Sequence, residues 1–443
     1  MQHAHRITRL SALALGIAGA LAFGQADASG FQLKENSVKS LGNAFAGAGL
    51  RDDDAAVVVN NPASMTQFEG TTIQGDVTAI DLNYEYRGDG YDALGRPLNG
   101  GDGGNAGDFT PIPAFSMVHK FDNGAAVGAM VSAPFGLATK YDQDWVGRYA
   151  AIDSDVQVVE LALTGAVDLI PDRLSVGVGL TFSQADVTLS KGVDFGSVLM
   201  GAGVPGFLPQ SADGTAEVQG DDTGMGWIAG VNIRPTDKLS IGISHRSEVK
   251  YDLRGDVDWT VPAPARAVFD AVGQGALFLD GGAGAKLTTP AMTTVEVAYQ
   301  FTDRFSMAAT YAETSWESLE EVRIEFDGPD APTIEPFGWE ETRFSSIGGE
   351  YVLNEAWTLR AGYAYDETPT TFAHRTPRLP DEDRQWYSIG ATWGYSDNLE
   401  FSFAYTRLEP DTPHIGIEAP NYRLFGEFEG AADLYGISAQ YRF

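Results

Sequence analysis

Residues 174–182 read LSVGVGLTF. Leu174, Val176, Val178, Leu180 and Phe182 fall on one side of an extended chain, and Ser175, Gly177, Gly179 and Thr181 on the other. A strand advances about 3.3 Å per residue and sends neighbouring side chains to opposite faces, so this period of two predicts a β-strand with one greasy and one small or polar face. The same alternation recurs at Val295, Val297, Tyr299 and Phe301, at Trp357, Leu359, Ala361, Tyr363 and Tyr365, and at Leu399, Phe401, Phe403 and Tyr405. A soluble sandwich gives the same pattern, so the connections have to decide.

Those connections alternate in length. Short turns fall at Asp122 to Gly124, Ile170 to Arg173, Pro235 to Lys238, Thr302 to Arg304, Asn354 to Ala356 and Ser396 to Asn398. Long polar stretches rich in Gly, Pro and Asp, such as Arg87 to Asp108, lie between them. Membrane barrels have short periplasmic turns, long external loops and aromatic girdles. Tyr84, Phe121, Phe301, Trp357, Tyr365 and Trp393 stand at strand ends, and the chain closes on an alternating strand with a terminal Phe443. The expected fold is all-β: an antiparallel transmembrane β-barrel over residues 71–443 with about 14 strands, an even number as in single-chain bacterial barrels. In the first strand the apolar residues change phase between Ala79 and Ile80, which predicts a bulge there.

The 443 residues include no Cys, which removes disulfides, thiolate metal sites and Cys nucleophiles. A net charge of −32 disfavours a phosphate backbone as partner, so no nucleic acid is expected. At the amino end, Arg6 and Arg9 precede an apolar run from Leu10 to Phe23 and an Ala26-Asp27-Ala28 cleavage pattern. Residues 1–28 are therefore expected to be a signal peptide for export. Export without an apolar spanning helix leaves a periplasmic, secreted or outer-membrane protein, and the strand pattern selects the outer membrane of a Gram-negative bacterium.

Residues 29–70 do not alternate. Small residues at Gly42, Ala44, Ala46, Gly47, Ala48 and Gly49 allow close packing, so the segment is either a loose periplasmic extension or a plug in the lumen. Gly30-Phe31-Gln32-Leu33, then Gly42 and Ala44, then Asp53-Asp54-Ala55, then Asn61-Pro62-Ala63 resemble the start of the FadL family of outer-membrane transporters for long-chain fatty acids and other hydrophobic compounds. The resemblance continues at Phe135 to Thr139, Arg246 to Lys250, and Pro380-Asp381 with Asp383-Arg384. It implies a 14-stranded barrel with residues 29–70 as a hatch in the lumen, and passive uptake without ATP. It also implies capture at the third and fourth external loops, Phe31 reaching into the binding pocket, and a lateral opening at a kinked third strand around Pro134, Phe135 and Gly136. The alternative reading is a general diffusion porin or a structural surface barrel.

The long loops carry more apolar residues than water-exposed linkers need: Phe195, Leu199 and Phe207 in one, Phe269 and Phe278 in the next. They form either a binding groove or a plain cap. By phase, Glu160, Arg246, Glu248, Lys250, Glu296, Arg360, Arg384, Glu400 and Arg442 face the lumen, either paired with one another or holding a carboxylate headgroup. Arg246, Lys250 and Arg384 are the headgroup candidates. Ser183-Gln184-Ala185-Asp186 lacks the basic residue that fatty-acid members of the family place there, which leaves room for a neutral hydrocarbon or aromatic. His119, His245, His374 and His414 lack metal-ligand spacing, so neither catalysis nor a metal nor a cofactor is expected. The expected partners are a hydrophobic small molecule, outer-membrane lipid and lipopolysaccharide, with the chain working as a monomer.

Overall fold

In lipid every backbone N–H and C=O needs a partner within the protein, so alternating strands are stable there only as a closed ring. The computed structural model describes residues 30–443 and shows that ring, a closed antiparallel barrel of 14 strands. The signal-peptide expectation lies outside the described residues. The first six strands are β1 Thr71–Asp92, β2 Phe109–Lys120, β3 Ala125–Lys140, β4 Asp153–Ile170, β5 Leu174–Asp194 and β6 Asp213–Thr236. The next four are each interrupted: β7 Leu239–Arg246 and Val249–Thr260, β8 Gly281–Thr289 and Met292–Thr302, β9 Phe305–Thr314 and Glu321–Phe326, β10 Thr333–Pro336 and Thr342–Asn354. β11 Trp357–Asp366, β12 Arg384–Gly394, β13 Leu399–Pro410 and β14 Tyr422–Arg442 complete the ring. β14 pairs with β1 from Thr72↔Arg442 to Asp92↔Tyr422 and closes it.

Several strands reach further outward than alternation predicts. Alternation of apolar residues alone places the starts of β6, β8 and β14 near Thr223, Leu287 and Ala432, whereas they begin at Asp213, Gly281 and Tyr422. The cause is the solvent. Beyond the lipid the outward face no longer has to be apolar, and β6 there presents Glu217, Gln219 and Asp221. Within the lipid band Val178, Leu180, Met225 and Ile389 are exposed, as a bilayer-facing wall requires.

β1 carries no bulge, contrary to expectation. Its pairing with β14 is unbroken, and Thr72, Gln74, Asp76, Thr78, Ile80, Leu82, Tyr84 and Tyr86 all point inward and are buried. The hydrophobic phase changes because the lumen changes with height. The lower residues meet polar groups of the N-terminal segment, as Gln74 meets Ala55 and Asp76 meets Val38. The upper ones join an apolar cluster with Trp145, Leu424 and Phe428.

Residues 30–68 are mostly buried and touch inward-facing groups all round the ring. Four short helices occur among the described residues outside the 3-10 turns: α1 Val38–Leu41, α2 Val57–Asn60, α3 Phe195–Gly201 and α4 Ala263–Ala271. Ser37 caps α1, accepting a hydrogen bond from the Ser40 N–H. Lys39, 1% exposed, is bonded to Glu400 of β13 and to Gln440 of β14 at 3.1 Å. Arg51 bridges Asp53 and Glu350 of β10, both at 2.8 Å, and Arg360 of β11 meets the same Glu350 at 2.7 Å. Buried charges are costly unless paired, and here each cation has its acid. On the opposite side the Asn61 amide donates to the Val231 carbonyl of β6 at 3.1 Å.

Candidate functional site

In the wall the β2–β3 ladder stops early. β2 and β3 pair from Lys120↔Ala126 only as far as Phe115↔Val131. Above it β3 pairs with β4 alone, and that register slips between Ser132 and Phe135. Pro134 has no N–H to offer a ladder. The N-terminal segment takes the place of β2: the Leu33 N–H donates to the Pro134 carbonyl and the Gly136 N–H to the Phe31 carbonyl, both at 2.8 Å. A Cβ on Gly136 would come within 2.9 Å of a terminal methyl of Leu33, so a side chain here would have to turn Leu33 aside. Pro134, Phe135 and Gly136 thus form the joint between wall and segment.

Two cavities flank this joint. The upper is walled by aliphatic side chains that include Leu137, Leu189, Leu253, Leu287 and Ile324. The lower is mixed in character and lies against Ser132 to Phe135, Lys34, Arg246 and Glu296. Phe31 lines the upper cavity and Phe135 the lower, and with Trp316 and Trp339 they form a four-ring nest between them. Phe31 meets Trp316 at 4.9 Å, Trp339 at 5.7 Å and Phe135 at 5.8 Å between ring centres, the first and last edge to face. Trp316 and Trp339 are themselves 4.9 Å apart.

Gly30 anchors the end of the segment. Its N–H donates to Asp381 at 3.0 Å. Its φ of +62 and the Trp316 ring 2.8 Å from where a Cβ would stand both demand glycine. Burial pushes the Asp381 carboxyl up to about 6, against the Arg384 guanidinium, which lowers it. Burial likewise pushes Glu35, five residues along the segment, up to about 7.

A sequence model of the family described as outer membrane protein transport protein (OMPP1/FadL/TodX) matches residues 19–443. The chain belongs to that family. It is 27% identical over 448 residues to a long-chain fatty acid transport protein of Escherichia coli O6:H1, covering 97% of this chain and 98% of the relative. It is 29% identical to a 47 kDa outer membrane protein of Pasteurella multocida, covering 97% of each. Its fold matches a Pseudomonas aeruginosa FadL homologue with a TM-score of 0.88 at 26% identity, covering 93% of this chain and 99% of that one. The Pseudomonas putida toluene transporter TodX, at 18% identity and a TM-score of 0.66 over 88% and 94% of the two chains, shares the fold. The chain is an outer-membrane transporter of the FadL/TodX kind, not an enzyme.

The cations expected to face this FadL-family lumen meet different fates. Arg246 of β7 does face inward, with its guanidinium on Glu160 at 2.9 Å and over the Phe135 ring at 6.0 Å. Arg384 holds Asp381 at 2.5 Å. Lys250 and Glu248 do not share Arg246's inward face. β7 breaks at Ser247 and Glu248, and the inward phase restarts at Val249, Tyr251 and Leu253. Lys250 is left outside, its side chain 72% exposed and paired with Glu248 at 2.7 Å. In β5 the inward residues are Ser183, hydrogen-bonded to Tyr251 at 2.6 Å, and Ala185, so no cation enters the lumen there.

Arg378 is the cation that sequence reasoning missed. It lies on the loop before β12 and lines the upper cavity, where its guanidinium meets Ser154 at 3.1 Å and Glu335 at 4.0 Å. Its Nε is buried without a hydrogen-bond partner among the described residues. Trp316 and Trp339 were missed too. All three sit in breaks between strands, where no period marks the inward side; the only signal was two tryptophans in short interruptions flanked by alternating runs.

Asn61, Pro62 and Ala63 form a compact turn. The Asn61 side chain caps the Ala63 N–H at 3.2 Å and Pro62 opens a 3-10 turn. Gly177 of β5 and Gly230 of β6 leave the space it occupies. In the external loops Phe195 and Leu199 of α3 and Phe269 of α4 are buried against one another, with Phe207 and Phe278 packed on them. The faces left open around them are Val198, Leu208, Val272 and Leu279. Among the described residues no group of three His, Asp or Glu is placed to hold a metal ion.

Proposed function

We propose that the chain takes up hydrophobic molecules, long-chain fatty acids or hydrocarbons and aromatics, passively and in three stages. A ligand first settles on the cap made by α3 and α4, whose open rim is Val198, Leu208, Val272 and Leu279. It then passes to the upper cavity. It leaves sideways into the bilayer through the β2–β3 seam once residues 30–36 swing away. Residues 29–70 are the hatch, and Asn61-Pro62-Ala63 is its fixed point.

The observation that carries this reading is the substitution of the N-terminal segment for β2 on β3, between two cavities. A seam closed by a detachable strand opens without tearing the barrel ladder. The lateral route suits the cargo, because an apolar chain gains about 0.8 kcal/mol per CH₂ by staying out of water. Arg378 supplies the headgroup contact when the ligand is a carboxylate; the rest of the upper cavity suits a neutral hydrocarbon equally well. Every barrel strand has both neighbours within the chain, which supports a monomer set in lipid and lipopolysaccharide.

Gly136→Arg tests the exit. The long new side chain competes with Leu33 for the joint and fills the opening that the ligand would use. Uptake by cells should fall to background while the purified variant still binds ligand. Normal uptake by a folded variant rules out the lateral route. Ion conductance in planar bilayers would instead favour a diffusion porin.

A further inference from the structure

Aromatic side chains are not spread evenly through the ligand path. The upper cavity is aliphatic over most of its surface, and its rings gather at the Phe31 end, with Trp339 and Phe337. There Phe31 sits in a seat made by Phe135, Trp316 and Trp339, with centre-to-centre spacings of 4.9–5.8 Å. Trp316 is fully buried and Trp339 nearly so. Both come from the paired interruptions of β9 and β10, and Trp316 also meets Phe135 of the β3 joint at 6.1 Å between ring centres. Ring pairs at these spacings and tilts are favourable beyond the area they bury. An aliphatic chain end entering the same seat recovers the area but not that extra term.

Resting on the transport reading above, we propose that Trp316 and Trp339 are specificity-determining residues that form a seat for one aromatic ring. Phe31 occupies it when the path is closed, and the ring of an aromatic ligand occupies it when Phe31 leaves. Ring-bearing hydrocarbons then open the path more readily than acyl chains of equal apolar area. Displacing Phe31 exchanges one set of ring contacts for another. A packed apolar site vacated by one ring keeps the size and dryness to take up another. One ring pair kept or lost is a factor of about ten in affinity.

The test compares toluene with methylcyclohexane, which match in size and lack of polarity but differ in the π-system, with palmitate as the acyl probe. Binding to the purified barrel is measured by equilibrium dialysis, corrected for partition into detergent alone. The wild type should prefer toluene about tenfold. That preference should vanish in the double variant Trp316→Leu, Trp339→Leu and survive in Trp316→Phe, while palmitate affinity changes less than the toluene preference does. Heat-shifted gel mobility checks that each barrel is folded. Palmitate binding with no preference between the two small hydrocarbons overturns the seat and leaves the transport reading standing. A preference that persists in the folded double variant also overturns it. Binding of none of the three overturns the transport reading and this inference together.

Discussion

Phe31→Ala should unlatch the seam without unfolding the barrel. Four terms hold the segment closed. The two backbone hydrogen bonds to β3 contribute about 1 kcal/mol each, and the Gly30 bond to the Asp381 carboxylate about 2. Burying the Phe31 side chain adds about 2–3 kcal/mol, and each ring pair about 1 more. Truncating a buried Phe to Ala costs about 3–5 kcal/mol. Three of those kcal/mol shift the ratio of closed to open segment by about a hundredfold. The Gly136 N–H reports this directly, because its partner is the Phe31 carbonyl and not a barrel strand. Its hydrogen exchange should therefore speed up about a hundredfold, while amides of β3 below Val131, paired to both β2 and β4, keep their protection. An unchanged Gly136 rate in the folded variant would refute the latch. So would an acceleration shared by the whole of β3, which would make Phe31 a general packing residue.

Asn61→Ala removes a buried cap on Ala63 and a part-buried bond to Val231, and should loosen the segment by about 1–3 kcal/mol. Uptake should drop while the melting temperature of the barrel moves little; a collapsed barrel would make the turn purely structural. Glu35 carries a pH dependence: because burial raises its carboxyl to about 7, the folded state binds the extra proton, so its contribution to stability is full below the ordinary Glu range and is lost as pH rises through 7. Glu35→Gln should flatten the fall in resistance to proteolysis of the segment between pH 5 and 8, and a curve identical to wild type would remove Glu35 as its source. Arg378→Gln should weaken palmitate binding about tenfold at neutral pH and leave a neutral alkane unaffected, as isothermal titration would show. Equal losses for both ligands would mean that Arg378 only shapes the cavity.

Period-two alternation made the barrel legible wherever lipid pressed on one face, as at Leu174 to Phe182, and the starts of β1, β3, β5, β7, β9, β11, β12 and β13 fall where the pattern placed them. It failed where the surroundings change with height. In β1 the inward face passes from Thr78 to Ile80 with no change in backbone register, so a change of solvent imitated a bulge. In β7 the reverse happened: a two-residue break carried Lys250 outside, and nothing in the composition of Arg246 to Lys250 marks that break. The joint at Pro134 to Gly136 was visible because proline and glycine are conspicuous inside a strand. Its tryptophan partner Trp316 in the ring nest lies 181 residues from Phe135 in sequence, and only the closed ring brings the two together.

The partners of the N-terminal segment also fix an order of assembly. Lys39 is bonded to Glu400, 361 positions later, and to Gln440, 401 positions later, while Gly30 waits for Asp381, 351 positions away. Contacts so distant along the chain cannot form until nearly all of it is present. Residues 30–39 come before every barrel strand in the chain and are nevertheless among the last to find their places. Until β13 and β14 arrive these groups lack their native partners, and the ring has to be drawn around them. A barrel that sealed early would shut its own lock on the outside.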